Sequence, residues 1–171
     1  KLCEYYNRQF NRNYFTLMPC NLYGPHDNFD LKNSHFVPAL IKKIILSKIN
    51  NDPYIEIWGT GKPKREVMYV DDLASAIFFI VNKKLGNNKK LLNILKKTAL
   101  INVGSGKEYT IKEIAQKICK VEKNDIGLNF NTNYPDGTKR KVVDIRLLKR
   151  LGWSSKISLT QGLSKTIKWY K

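Results

Sequence analysis

The sequence predicts an α/β domain, and three observations carry that expectation. Short apolar, β-branched runs alternate along the chain with segments whose apolar residues recur at spacings of three and four. Two capping boxes, Thr110-Ile111-Lys112-Glu113 and Ser158-Leu159-Thr160-Gln161, announce helix starts. A long polar stretch from Asn21 to His35 lies where a strand hands over to a helix, the position at which open α/β sheets bind ligands. The same position also suits an ordinary surface excursion, although a loop of this length in a compact domain is usually functional. With 171 residues and 42% hydrophobic content, the chain suits one domain or most of one and can bury a core.

The first helix is expected over residues 1–12, where Leu2, Tyr5, Tyr6, Gln9 and Phe10 fall at helical spacing. Residues 14–18 are a short apolar run that reads as a buried strand, followed by the polar stretch. Phe36, Val37, Leu40, Ile41, Ile44 and Ile45 then define an amphipathic helix over 34–49, with Ser34 near its N-cap. Residues 54–58 alternate as a strand, Gly59 to Pro63 turns the chain, and 66–70 is a second strand. Asp71 and Asp72 are expected to cap the first turn of the apolar helix that follows. Residues 83–97, rich in Lys, Asn and Leu, read as a loop.

Residues 100–103 form the next expected strand, and Gly104-Ser105-Gly106 follows it. The third glycine of a dinucleotide fingerprint would fall at Tyr109, so this turn is not a phosphate cradle. The helix opened by Thr110 turns Ile111, Ile114, Ala115, Ile118 and Cys119 inward. Residues 126–131 read as a strand, Tyr134-Pro135-Asp136-Gly137 as a turn, and Asp144 as the cap of a short helix ended by Gly152. The last helix, opened by Ser158, buries Leu159, Leu163 and Ile167.

Composition excludes several function classes. No apolar run approaches the roughly 20 residues of a membrane span, and the start of the chain is not signal-like. Cys3, Cys20 and Cys119 are odd in number and far apart, which fits packed thiols in a reducing cytoplasm better than a disulfide framework or a zinc site. The formal charge of +17 invites a nucleic-acid reading. However, of 31 basic residues only six are Arg, the lysines scatter over every segment, and no nucleic-acid-binding signature is present. The surplus suits a solvated surface that would welcome a small anionic ligand. No glycine-rich strand-to-helix turn, G-x-S-x-G elbow, P-loop or H-E-x-x-H motif occurs, so the chain by itself shows no complete catalytic apparatus.

Asn21-Leu22-Tyr23-Gly24-Pro25-His26-Asp27-Asn28-Phe29, Asn33-Ser34-His35, Trp58-Gly59-Thr60-Gly61 with Arg65, Val70-Asp71-Asp72, and Pro135-Asp136-Gly137-Thr138 stand out together. Taken as a set they resemble the GDP-L-fucose synthase family, in the extended branch of the short-chain dehydrogenase/reductases. The resemblance runs in consistent order through residues 1–171, and the Pro-His-Asp-Asn-Phe and Asn-Ser-His pieces are its narrowest parts. It implies the C-terminal part of an NAD(P)-binding, Rossmann-like enzyme. Residues 1–33 would end the Rossmann portion and border the cofactor, while 34–171 would form mainly the smaller substrate-binding lobe with returning Rossmann elements.

The implied activity is bifunctional and enzymatic. GDP-4-keto-6-deoxy-D-mannose is epimerised at C3 and C5 and then reduced at C4 with NADPH to GDP-L-fucose, in a cytoplasmic homodimer. By the same resemblance Pro19, Cys20, Asn21, Leu22 and His35 border the NADP(H) cofactor, and His35 is also an epimerisation acid/base. An imidazole titrating near neutrality can remove a proton beside a ketone or deliver one. Lys43, Trp58, Arg65 and Asp136 match substrate-binding positions: cations for the diphosphate, an indole face or N–H, and an acceptor for ribose or base. Many relatives carry Arg at the position of Lys43, and Lys keeps the charge without the fork. No metal is implied.

Cys20 lies one residue before the Asn21 motif and is a packed strand-end thiol rather than the family's epimerisation cysteine, and His26 is structural. The family's Tyr-x-x-x-Lys pair, neighbouring serine and cysteine would precede Lys1, so the isolated chain is expected to be inactive. Two other readings stay open: a nucleotide-sugar 4-epimerase or 4,6-dehydratase of the same superfamily, and a basic nucleic-acid-binding module. Arg65 could also be a surface partner of Glu66 or Asp72.

Overall fold

The computed structural model describes residues 1–82 and 99–171, and the loop expected over 83–97 lies outside them. Helix α1 (Leu2–Phe10) leads to strands β1 (Thr16–Pro19) and β2 (Asn21–Tyr23), then α2 (Phe36–Asn50), β3 (Tyr54–Trp58), β4 (Lys64–Tyr69) and α3 (Val70–Asn82). After these come β5 (Leu100–Val103), β6 (Glu108–Thr110), α4 (Ile111–Glu122), β7 (Gly127–Asn131), β8 (Arg140–Lys141), α5 (Arg146–Leu151) and α6 (Leu159–Tyr170). The expected α/β alternation is present.

Parallel pairing dominates. β1 runs beside β5 with Thr16 opposite Leu100, and β2 runs beside β4 with Asn21 opposite Val67. β4 also takes β6 antiparallel and β8 parallel, while β3 pairs in parallel with β7. One apolar cluster gathers Val37, Ile41 and Ile44 of α2 with Ile114 and Ile118 of α4, Leu163 and Ile167 of α6, and Tyr23, Ile57 and Val67 from the strands. A second joins Ile101 and Val103 of β5 to Ala76 and Ile80 of α3, Leu148 of α5 and Trp153. Burial of such side chains stabilises by roughly 1.5–3 kcal/mol each, which is what draws the amphipathic helices onto the sheets.

Both capping boxes form. Thr110 Oγ1 accepts from Glu113 N–H at 3.1 Å and Glu113 accepts from Thr110 N–H at 2.7 Å; Ser158 and Gln161 repeat the exchange at 3.3 and 3.0 Å. Gly152 ends α5 in the left-handed region, as expected, but the residue before α5 is Ile145, not Asp144, and it makes no side-chain cap bond; Asp144, one residue earlier, accepts from Arg146 N–H at 2.9 Å.

Other boundaries differ, for identifiable reasons. The residue before α2 is His35, not Ser34, because Asp30 O takes the N–H of both Asn33 and Ser34 and keeps Ser34 in a turn. Helix α3 begins at Val70, so Asp71 and Asp72 lie inside its first turn. The turn expected at 134–137 sits earlier, closed by Tyr134 N–H on Asn131 O. On α1 the apolar residues Leu2, Tyr5, Tyr6 and Phe10 are exposed. The inward face of α1 carries Glu4 and Asn7, and Asn7 exchanges bonds of 2.6 and 2.7 Å with the backbone of Tyr14.

Candidate active site

A cavity of about 470 Å³ opens beyond the end of β1 and along β2. It is lined by Pro19, Cys20, Asn21 and Leu22, by Gly24 to Asp27, and by His35, Phe36 and Val37. The five residues expected to border a cofactor therefore share one cavity, at the strand-end position where parallel sheets receive ligands. Each is placed by ordinary backbone chemistry. Cys20 N–H bonds Val103 O at 2.9 Å, which carries the β1–β5 ladder one residue on, and Asn21 Nδ2 donates to Glu66 O at 3.0 Å.

The Cys20 thiol is no nucleophile. Burial first, then the neighbouring Glu66 carboxylate, pushes it up to about 12, so at neutral pH it stays protonated. His35 is exposed and extended, with φ −67° and ψ 163°, and no side-chain cap bond engages it. That conformation sends consecutive residues to opposite sides, as on a strand. His35 lines the first cavity while Ser34 lines a second groove, and Phe36 borders both.

The second groove is more apolar. Lys43 and Trp58, two of the four expected substrate residues, line it with Leu31, Leu40, Ile57 and Ile111. Lys43 Nζ donates to Glu56 O at 3.0 Å and stands 5.9 Å from the centre of the Trp58 ring. Trp58 is exposed, stacks on Tyr134 with centroids 4.3 Å apart and planes 13° apart, and donates its indole N–H to Glu56 at 3.0 Å.

Arg65 and Asp136, the other two expected substrate residues, are not in the groove wall. Asp136 accepts the Thr60 N–H at 2.8 Å and the Thr60 hydroxyl at 2.7 Å. These two bonds hold its carboxyl below the usual range, with Lys62 and Arg65 as further charge neighbours. In this structure Asp136 thus fastens the turn after β3. Arg65 Nη1 donates to Lys64 O at 2.9 Å and Thr138 O at 2.6 Å. Neither bond uses Nη2 or Nε, the edge that fits paired phosphate oxygens. Among the described residues Arg65 makes no ion pair with Glu66 or Asp72. Both carboxylates are buried and taken by backbone: Glu66 accepts from Gly106 at 2.7 Å and Val143 at 2.9 Å, Asp72 from Lys156 and Ile157 at 3.0 Å each.

The engagement of Glu66 and Asp72 by backbone is not legible in sequence, because their partners lie 40 to 85 positions away. The alternation of 54–58, which turns Glu56 and Trp58 to the same exposed face, is the local signal that places Glu56 beside Trp58. His26 adopts φ 63° and packs on Trp169 at 4.7 Å, in keeping with a structural part. Among the described residues no cluster of His, Cys, Asp or Glu is placed to hold a metal ion, and no helix is long and apolar enough to cross a membrane.

The chain is similar to known proteins along nearly its whole length. The chain is 44% identical over 170 residues to GDP-L-fucose synthase of Escherichia coli (strain K12), covering 99% of this chain and 52% of that protein. It is 42% identical over 171 residues to GDP-L-colitose synthase of Yersinia pseudotuberculosis, with 99% and 52% covered. Among solved structures, a GDP-mannoheptose C4 reductase from Campylobacter jejuni with NADP bound superposes with a TM-score of 0.83 at 31% identity, covering 99% of this chain and 56% of that one. The chain spans about half the length of the curated relatives it matches. Residues 1–94, more than half of the chain, match the NAD dependent epimerase/dehydratase family, and the chain belongs to that family.

Proposed function

We propose that this chain forms the GDP-sugar side of a GDP-L-fucose synthase, which converts GDP-4-keto-6-deoxy-D-mannose to GDP-L-fucose by epimerisation at C3 and C5 and NADPH-dependent reduction at C4. The observation that carries the reading is the Asn21 to His35 stretch, which puts a solvent-reachable imidazole and the strand-end backbone of Pro19 to Leu22 around one cavity. The similarity to a GDP-L-fucose synthase and to an NADP-bound GDP-sugar reductase supports it.

A cavity of about 470 Å³ with mixed polar and apolar walls fits the nicotinamide end of NADP(H), which Pro19, Cys20, Asn21 and Leu22 would border. When bound, that cofactor supplies hydride to the C4 ketone. Protons on the carbons flanking a ketone are acidic, so inverting them requires one group to remove a proton and another to deliver one to the opposite face. His35 is the group this chain contributes. The half-buried Cys20, held protonated, is unfit to be its partner, and on this reading the cysteine that the family uses and the Tyr–Lys pair of the reduction would come from elsewhere in the enzyme. The nucleotide follows the second groove, with the base or ribose against Trp58 and Lys43 meeting the diphosphate, while Arg65, outside the groove wall, adds positive charge and Asp136 holds the 58–62 turn.

Incubating the full-length enzyme with GDP-4-keto-6-deoxy-D-mannose and NADPH tests this. GDP-L-fucose should form in step with NADPH oxidation, and GDP should compete. Preference for UDP-sugars over GDP-sugars in direct binding would overturn the reading.

A further inference from the structure

Among the described residues, the loop that carries His35 has little hydrogen-bonded attachment to the rest of the fold. Its bonds run within it: Asn28 N–H to Asp27, Asp30 N–H to Asn28, and Lys32, Asn33 and Ser34 N–H groups to Asp30. Its reach to distant sequence is instead made by rings. His26 packs on Trp169 with centroids 4.7 Å apart, and Phe29 lies 6.2 Å from Trp169 and is stacked on Tyr170 at 4.3 Å. Trp169 and Tyr170 are the final ring pair of α6.

Helix α6 is itself firmly seated along this stretch. Asp72 clamps the two backbone N–H groups of Lys156 and Ile157 just before it, and the Ser158–Gln161 box fixes its first turn. Near that end Tyr23 donates its hydroxyl to Leu159 O at 3.3 Å. A side chain at Gly162 would collide with the Tyr23 hydroxyl, so ring and helix are in close contact. Twelve residues at about 1.5 Å each then carry the helix roughly 18 Å to its aromatic end. The helix thus touches the motif at β2 and again at the loop.

We propose that Trp169 and Tyr170 are positioning residues for His35, clamping the 24–35 loop through His26 and Phe29 so that the imidazole stays against the cavity. The proposal rests on the acid/base role given to His35 above. Neither ring lines that cavity, so the effect passes through the loop. A proton-transfer group displaced by about 1 Å can lose on the order of 100-fold in rate without any change at the nucleotide site.

The test uses the full-length enzyme with GDP-4-keto-6-deoxy-D-mannose in deuterated water, NADPH omitted, reading deuterium uptake at C3 and C5 alongside the Kd for GDP. Trp169→Ala should slow uptake at least 10-fold while the Kd for GDP changes less than 2-fold, and Trp169→Phe should restore most of the rate. Tyr170→Ala should act in the same direction. Uptake unchanged in Trp169→Ala would overturn the clamp, and so would GDP affinity falling in proportion to uptake, which marks a general loss of structure. No uptake in the unmodified enzyme would instead overturn the proposed function.

Discussion

Removing the Glu66 side chain should cost more stability than any exposed charge in the protein. Glu66 is 1% exposed and sits on β4 between Arg65 and Val67. One carboxylate oxygen accepts from Gly106 N–H at 2.7 Å in the β5–β6 turn, and the other from Val143 N–H at 2.9 Å, two residues beyond β8. One side chain therefore ties the strand bearing Arg65 to both neighbours. In Glu66→Ala the two N–H groups lose their acceptor inside the protein, at about 1–3 kcal/mol each, or roughly 2–6 kcal/mol together. That is a large part of the 5–15 kcal/mol typical of a domain. Glu66→Gln keeps the shape and one acceptor but turns an amide NH2 toward a donor, so it should cost roughly half as much. Urea unfolding followed by circular dichroism measures both, provided the slope with denaturant stays constant. Gly104→Ala would press its Cβ onto the Glu66 carboxylate and the Val143 side chain, so its cost should shrink in the Glu66→Ala background. A loss below about 1 kcal/mol for Glu66→Ala would refute the assignment of Glu66 as the anchor.

Three further outcomes follow from named contacts. Gly162→Ala should destabilise by about 1–3 kcal/mol through its collision with Tyr23, and thermal unfolding with no loss would show that α6 can shift away freely. Because the Thr60 bonds depress the folded Asp136 pKa, their stabilisation is complete above the ordinary Asp value and is lost as pH falls through the depressed one. The Thr60 amide resonance should follow that acid step, and a midpoint at or above the ordinary Asp value would contradict the bond. The half-buried Cys20 thiol, pushed up to about 12, should react with iodoacetamide at pH 8 more slowly in the folded protein than after unfolding; alkylation in the native state as fast as in the unfolded chain, read by mass spectrometry, would contradict the raised thiol.

Much of this fold is legible in the sequence because its signals are local. The boxes at Thr110 and Ser158 form because each needs only residues three apart, and the inward faces of α4 and α6 follow from spacing. β2, β6 and β8 have two or three residues each and no periodicity to detect; they exist because β4 offers them a partner. Helix α1 shows the converse failure, since its regular apolar spacing is exposed while Asn7 turns inward to bond Tyr14. For the site, the motif from Asn21 to His35 located a cavity because all its parts are adjacent in sequence. The buried roles of Glu66 and Asp72 were hidden, as a carboxylate bound to distant backbone N–H groups reads like any surface acid. Asp136 was legible as a polar turn residue, but its engagement by Thr60 depends on two loops meeting.

His35 is the residue on which the proposed proton transfer depends. In the full-length enzyme, His35→Asn should slow deuterium uptake at C3 and C5 of GDP-4-keto-6-deoxy-D-mannose by at least 100-fold. It should leave NADPH-dependent reduction of an already epimerised 4-keto substrate within a few-fold of the unmodified rate. Equal loss of both steps, or uptake that survives the substitution, would contradict the role of His35 in proton transfer.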